Sequence, residues 1–153
     1  MKRYKRLIFV DSDDSCRAAM AKIIMRAKHL LGSLNIDSRG LVVLFSEPLN
    51  QKAEAILISN GYETKAHKSL QLQQEDFGED VLILTMEEGE KEKIWSSYTD
   101  VKNVYTLTEY LKIQGNMPVL YGASLQEYGI FYEALEKLIG LLVIKLNEEE
   151  LGL

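Results

Sequence analysis

Short apolar runs alternate with longer stretches of helical periodicity along the chain. An apolar run without polar interruption is typical of a strand that is buried on both faces. Apolar positions repeating every three or four residues predict an amphipathic helix. Four strands are predicted, at residues 7–10, 41–45, 81–84 and, as an edge-like strand, 101–106. Helices are predicted after each strand and near the C-terminus, at residues 18–31, 46–59, 87–96, 107–113 and 124–146.

Local signals define several of the helix ends. Ser46, followed by Glu47 and Pro48, is a suitable N-cap for the second helix, and Asn60-Gly61 should end it. The sequence Ser124-Leu-Gln-Glu forms a capping box at the start of the last helix. The polar stretch 62–79 is predicted to be mostly loop.

Strands that alternate with helices through short connections predict an α/β domain. We expect a three-layer, doubly wound sheet of about four parallel strands, formed by residues 1–153 as a single domain. Ligands of such folds bind at the carboxyl ends of the strands. Residues 11–17, which follow the first strand, lie at that edge.

Composition excludes several classes of protein. A net charge of −5 argues against nucleic acid or an anionic membrane as partner, and no apolar run is long enough to span a bilayer. The single cysteine cannot form an internal disulfide and fits a reducing compartment. The N-terminal apolar run of four residues is too short for a signal peptide. A cytoplasmic protein is expected.

The loop at residues 11–17 combines two opposing features. A strand, a tight loop and a helix N-terminus direct unpaired backbone N–H groups and the helix dipole to one place, which favours an anion. Three of the seven loop residues are nevertheless carboxylates. The loop consists of Asp11, Ser12, Asp13, Asp14, Ser15, Cys16 and Arg17.

Four segments in the same order resemble the low-molecular-weight protein tyrosine phosphatases. Residues 7–24, LIFVDSDDSCRAAMAKII, are similar to the strand and phosphate loop of that family, which has the pattern C-x-x-x-x-x-R. The segments ILTM at 83–86, YTLTEY at 105–110 and YGASLQEY at 121–128 are similar to further family motifs. The resemblance implies a phosphotyrosine protein phosphatase I-like fold, activity on phosphotyrosine or phosphoarginine, and no cofactor.

This chain departs from the family pattern at the positions of the catalytic residues and of the phosphate loop. Asp11 stands where the family has its nucleophilic cysteine, and Ala18 where it has a serine. Asp13 and Asp14 replace a glycine and an asparagine. The family's general acid belongs to an Asp-Pro pair, at whose place this chain has Val119-Leu120. No catalytic residue is therefore intact.

Electrostatics argue against phosphate binding in this loop. A phosphoryl group brings about two negative charges. Each like-charge pair about 4 Å apart costs about 4 kcal/mol at an effective dielectric constant near 20, whereas a helix N-terminus returns at most about 2 kcal/mol. We therefore hypothesise that Asp11 is an internal anion that accepts backbone N–H groups and pairs with Arg17. The protein is then a pseudophosphatase that binds a protein partner, which could be a phosphoprotein.

Simpler interpretations remain open for individual residues. Asp11 could be only a cap of the following helix. Asp13 and Asp14 are expected to be solvated turn residues instead of metal ligands. Cys16 is expected to be a small, partly buried packing residue. No metal site is predicted, and neither His29 nor His67 has companions spaced as metal or catalytic partners. Aromatic residues that could form a rim of the site are Tyr121, Tyr128 and Tyr132, of which Tyr132 better fits the helix core.

Two other classes of protein, one of enzymes and one of receiver domains, place carboxylates in a similar loop. The sequence LIFVDSDDS fits haloacid-dehalogenase phosphatases, with Asp11 as nucleophile, Asp13 as acid–base and Mg²⁺ as cofactor. Thr85 would then be the second motif, but the chain lacks the later acidic pair after a strand. A receiver domain requires an aspartate at the end of the third strand, where this chain has Thr85.

Overall fold

A computed structural model describes residues 4–120 and 122–153. The strands are β1 (Arg6–Asp11), β2 (Asn35–Gly40), β3 (Val81–Thr85) and β4 (Val104–Thr106). The α-helices are α1 (Arg17–Arg26), α2 (Gln51–Ser59), α3 (Glu88–Ser97), α4 (Leu107–Tyr110) and α5 (Leu125–Leu151). A 3₁₀ turn spans Gln74–Asp76.

The four strands form one parallel sheet in the order β2-β1-β3-β4. β1 and β3 occupy the centre and bury every residue from Leu7 to Asp11 and from Val81 to Thr85. The predicted doubly wound α/β fold is thus confirmed. Because β1 lies beside β3, the loops that follow these two strands are neighbours at the carboxyl edge.

The two faces of the sheet carry separate apolar cores. Leu7 and Phe9 face a core that includes residues of α1, α2 and α5, such as Ile24 and Leu135. Residues of the alternate register, such as Ile8, face a smaller core with α3. Alternation along β1 therefore builds a layer on each side of the sheet.

The second strand lies before the predicted position. β2 is Asn35–Gly40, whereas the apolar segment 41–45 leaves the sheet, with Leu44 and Phe45 exposed at 83% and 79%. β1 ends at Asp11, so the residues after Gly40 have no strand to pair with, and only the backbone N–H groups of Leu41 and Val42 bond to the loop. On β2 itself, Asp37 forms ion pairs with basic side chains, so an edge strand forms with little apolar character.

Several predicted helix ends also differ, and α5 continues to Leu151 beyond its predicted end at residue 146. α1 ends at Arg26, earlier than the apolar spacing to Leu31 suggests. α2 begins at Gln51, and its N-cap is Asn50, not Ser46, because the Asn50 side chain accepts hydrogen bonds from the N–H groups of Lys52 and Ala53. The hydroxyl of Ser46 instead donates to the carbonyl of Ser69.

Other element predictions are confirmed within a few residues. β3, the short edge strand β4, α3 and the start of α5 lie where the patterns placed them, and Ser124 and Glu127 form the predicted capping box. α2 ends at the predicted Asn60-Gly61. Among residues 4–120 and 122–153, none of the helices has the length and apolar character needed to cross a bilayer.

Candidate functional site

The loop between β1 and α1 lies at the carboxyl edge of the sheet, as predicted. Gly40, at the end of β2, allows this loop to pass close to the sheet, because an added Cβ would lie 2.6 Å from the carbonyl carbon of Asp13. The carbonyls of Asp11 and Ser12 accept hydrogen bonds from Leu41 and Val42 at 2.9 and 3.0 Å. The backbone of the loop is therefore fixed on its β2 side.

Asp11 directs its carboxylate into the loop. Oδ1 accepts the backbone N–H of Asp14 at 2.7 Å, and Oδ2 accepts that of Ala18, in the first turn of α1, at 3.1 Å. Cys16, the N-cap residue, makes no side-chain cap bond, so Asp11 performs that role. Burial raises the pKa of Asp11 above its usual value, while the two N–H groups act in the opposite direction. The expected internal acceptor of backbone N–H groups is present.

The other two loop carboxylates occupy different environments. Asp13 is exposed and accepts the backbone N–H and hydroxyl of Ser15, as expected of a turn residue. The expectation of solvation is wrong for Asp14, which is fully buried and has a positive φ of 58°. Its Oδ2 accepts the N–H of Leu70 at 2.9 Å, and burial raises its pKa to about 6. Aspartate tolerates this left-handed backbone conformation better than most residues.

A buried histidine forms a hydrogen bond with the backbone of the loop, and a buried lysine forms one with that histidine. His67 Nε2 lies 2.7 Å from the Asp14 carbonyl, which can only accept, so Nε2 carries the proton. Nδ1 then accepts a hydrogen bond from Lys22 Nζ. Burial, followed by the Lys22 charge, lowers the pKa of His67 to about 4, so the ring is neutral at pH 7. This role for His67 was missed, because the polar stretch around it gave no periodic signal.

Arg17 does not pair with Asp11, and this expectation is corrected. Its Nη2 lies 2.8 Å from Glu87 Oε2 and 3.0 Å from Glu90 Oε2. Glu90 is buried in the first turn of α3, and its Oε1 also accepts the backbone N–H groups of Met86 and Glu87. Burial raises the pKa of Glu90 to about 7. The arginine of the loop is thus held by two carboxylates from the neighbouring strand–helix connection.

A cavity of about 340 Å³ opens over the loop. Its far wall carries Val119, which is exposed, together with Leu120 and Tyr128. Cys16 also lines the cavity, but burial raises the pKa of its thiol to about 12, which suits packing and not nucleophilic attack. Tyr132 packs in the core as expected, and Tyr121 lies outside the described residues.

The site thus combines a cavity, a loop at the carboxyl end of β1 and an arginine at the start of α1. Known proteins resemble this chain in sequence and in fold. The sequence profile of the low molecular weight phosphotyrosine protein phosphatases matches residues 6–151. The chain belongs to this family.

Similar proteins include enzymes named for two substrates. A low molecular weight protein-tyrosine-phosphatase PtpB of Staphylococcus haemolyticus is 33% identical over 138 residues, covering 90% of this chain and 96% of the relative. A protein-arginine-phosphatase of Geobacillus stearothermophilus is 28% identical over 147 residues, covering 95% and 98%.

Solved structures agree with the sequence comparison. The YwlE arginine phosphatase from Geobacillus stearothermophilus superposes with a TM-score of 0.89 at 28% identity, covering 97% of this chain and 96% of that structure. A low molecular weight protein tyrosine phosphatase from T. tengcongensis gives a TM-score of 0.85 at 28% identity, covering 92% and 99%. The phosphatase fold is thus retained across almost the whole chain.

Proposed function

We propose that this member of the low-molecular-weight phosphatase family is a pseudophosphatase that binds a protein partner through the cavity above residues 11–17. The observation that carries the proposal is the position of Asp11. Its two carboxylate oxygens already accept N–H groups from the loop and from α1, at 2.7 and 3.1 Å. A phosphoryl group would need such donors, so the side chain competes with it for the same groups.

The surroundings of Arg17 strengthen this argument. A family phosphatase needs the positive charge of this arginine to attract phosphate, whereas here Glu87 and Glu90 hold the guanidinium at 2.8 and 3.0 Å. Withdrawing Arg17 from these partners would leave the buried Glu90 carboxylate without its cation, which is unfavourable in a poorly solvated site. Together with Asp11 and Asp13, these groups give the site a negative charge, so a dianion should be repelled.

The same charge indicates the chemistry of the partner. We expect it to insert a neutral or basic side chain into the cavity, because Asp13 is exposed there and Val119, Leu120 and Tyr128 supply an apolar wall. The site resembles that of a phosphatase in shape but has the opposite preference for charge. The proposed role is therefore recognition without hydrolysis.

Hydrolysis of p-nitrophenyl phosphate, and of phosphotyrosine and phosphoarginine peptides, tests the proposal. The chain, its Asp11→Ala variant and its Asp11→Cys variant are assayed with and without Mg²⁺. We expect no turnover from the native chain in either condition, and weak turnover from Asp11→Cys. The gain should be modest because a missing general acid costs about 10²–10⁴-fold.

Two outcomes would contradict the pseudophosphatase proposal. Turnover by the native chain that needs both Mg²⁺ and Asp11 would identify an aspartate-nucleophile phosphatase, in which Asp13 would be the acid–base. Turnover that persists in Asp11→Ala and needs no metal would identify a divergent phosphatase with another nucleophile. Far-UV circular dichroism of each variant provides the control for folding.

A further inference from the structure

The outward face of α5 is apolar where a surface helix is normally polar. One side of the helix packs into the core through residues such as Tyr128, Leu135 and Leu142. Since each residue of a helix advances by about 100°, Leu141 and Ile144 lie on the opposite side. Both are exposed, at 46% and 57%. A helix with apolar residues on two opposite faces is typical of one that is covered on both.

The exposed apolar residues follow a heptad pattern. Spacings of four and three residues alternate along the stripe, as at the a and d positions of a coiled coil. Ile130 and Leu151, near its two ends, are exposed at 64% and 62%. We call this stripe the α5 seam; it consists of Ile130, Ala134, Lys137, Leu141, Ile144, Glu148 and Leu151.

Two charged residues interrupt the seam symmetrically. Lys137 precedes the Leu141–Ile144 pair by four residues, and Glu148 follows it by four. Both side chains are exposed, and within residues 4–120 and 122–153 neither of them forms an ion pair with the rest of the chain. The seam therefore carries one unpaired cation and one unpaired anion at equal distances from its centre.

We propose that the α5 seam is the contact surface of a homodimer in which two α5 helices pack antiparallel about a two-fold axis. With the axis between Leu141 and Ile144, each Leu141 faces Ile144 of the partner subunit. Each Lys137 then faces Glu148 of the partner subunit, so both charges find an opposite charge. A two-fold contact of this kind requires a surface that is complementary to itself, which the seam provides.

The charges also select the orientation. In a parallel pair, each Lys137 would face its own counterpart, and each Glu148 likewise, which places like charges together. The antiparallel pair replaces two repulsions with two attractions, and a polar or charged residue within the a/d seam of a coiled coil specifies its register. The antiparallel arrangement also brings a positions against d positions from Ala134 to Leu151, while Ile130 lies beyond the paired part of the seam.

A helical glycine beside the seam fits the same interpretation. Gly140 lies in the middle of α5, where glycine is less favourable than alanine by about 1 kcal/mol. Apart from its chain neighbours and the adjacent backbone of α5, a Cβ at this position would meet no atom of residues 4–120 and 122–153 within 4 Å, so packing within the subunit does not require glycine. A small residue at this point permits the close approach of a second helix.

Analytical ultracentrifugation of the full chain, over about 1 µM to 1 mM, tests the dimer. A single helix seam is at the small end of specific interfaces, so we expect a dissociation constant in the micromolar range. The substitution Ile144→Glu should weaken association by roughly tenfold or more. Phe45→Glu, an equivalent change at an exposed residue away from the seam, is the matched control and should leave association unchanged.

Charge reversal tests orientation and register. Lys137→Glu and Glu148→Lys should each weaken self-association, because each creates like-charged pairs. An equimolar mixture of the two variants should form a heterodimer, since every cross-helix pair is then opposite in charge, and the double variant should dimerise like the native chain. A native chain that stays monomeric at 1 mM, or charge variants that the mixture does not rescue, would overturn the proposal. These measurements do not depend on phosphatase activity or on the pseudophosphatase proposal.

Discussion

The buried side chains of Asp14 and His67 have opposite effects on the free energy of unfolding as the pH falls. Asp14 has its pKa raised to about 6, so the folded state gains stability as the pH falls from about 6 to 4 and the carboxylate takes up a proton. His67 has its pKa lowered to about 4, so the folded state loses stability as the pH falls from about 6.5 to 4. The two residues are in contact, and their contributions oppose each other over the same range.

Replacing His67 with glutamine should separate these contributions. Glutamine can donate to the Asp14 carbonyl and accept from Lys22, but it cannot be protonated. The free energy of unfolding of His67→Gln should therefore rise relative to that of the native chain as the pH falls from 7.5 to 4. The relative gain should approach about 3 kcal/mol, at about 1.4 kcal/mol for each unit of pKa shift. Urea unfolding at several pH values measures it.

The same substitution at the exposed His29 is the control for this experiment. This variant removes a histidine that contacts neither Asp14 nor Lys22, so its unfolding curves show what the loss of an exposed histidine does by itself. If the curves of His67→Gln and the native chain run parallel, His67 does not carry the proposed pH dependence.

At the scale of elements, the sequence predicts a strand or helix correctly where its apolar pattern coincides with burial. The prediction fails where a cap or the length of a neighbouring strand decides the structure. The central strands and α5 were predictable because their apolar patterns coincide with burial. The segment 41–45 was not, because an apolar sequence cannot form a strand once β1 has ended and offers no partner. The pairing of Arg17 with Glu87 and Glu90 was within reach, because the order β2-β1-β3 brings the loop after β3 beside the loop after β1. The buried role of His67 required tertiary contacts that no local pattern encodes.

The corrected N-cap of α2 yields a stability prediction. Asn50→Ala removes the acceptor for the N–H groups of Lys52 and Ala53 and should lower the free energy of unfolding by about 1 kcal/mol. Gln126→Ala, an exposed substitution within α5, is the control and should change it by less than about 0.5 kcal/mol. Chemical denaturation measures both values, and an Asn50→Ala variant as stable as the control would show that the cap contributes nothing.

At the scale of the whole molecule, the family fold carries an acidic loop at the carboxyl end of β1. Almost the entire chain superposes on the arginine phosphatase from Geobacillus stearothermophilus, and in this chain a cavity lies over the loop and Arg17. Three of the loop residues are carboxylates, and Arg17 is held by two more. If the pseudophosphatase proposal holds, phosphate is excluded by charge and not by a change of fold, so changing charges alone should restore phosphate binding.

Thermal unfolding in phosphate tests this reversibility. In the native chain, 20 mM phosphate should not raise Tm above its value in chloride of equal ionic strength. The variant Asp11→Ser/Asp13→Gly/Glu87→Gln removes the carboxylate that accepts the N–H groups of Asp14 and Ala18. It also removes one of the two carboxylates that hold Arg17. Phosphate should therefore raise the Tm of this variant. If phosphate binds the variant with a Kd of about 1 mM, 20 mM phosphate should add about 1.8 kcal/mol to the free energy of unfolding. This gain should raise Tm by about 4–7 °C. Adding Arg17→Ala to the variant should abolish the shift, whereas an equal shift in the native chain would show that Asp11 does not exclude phosphate.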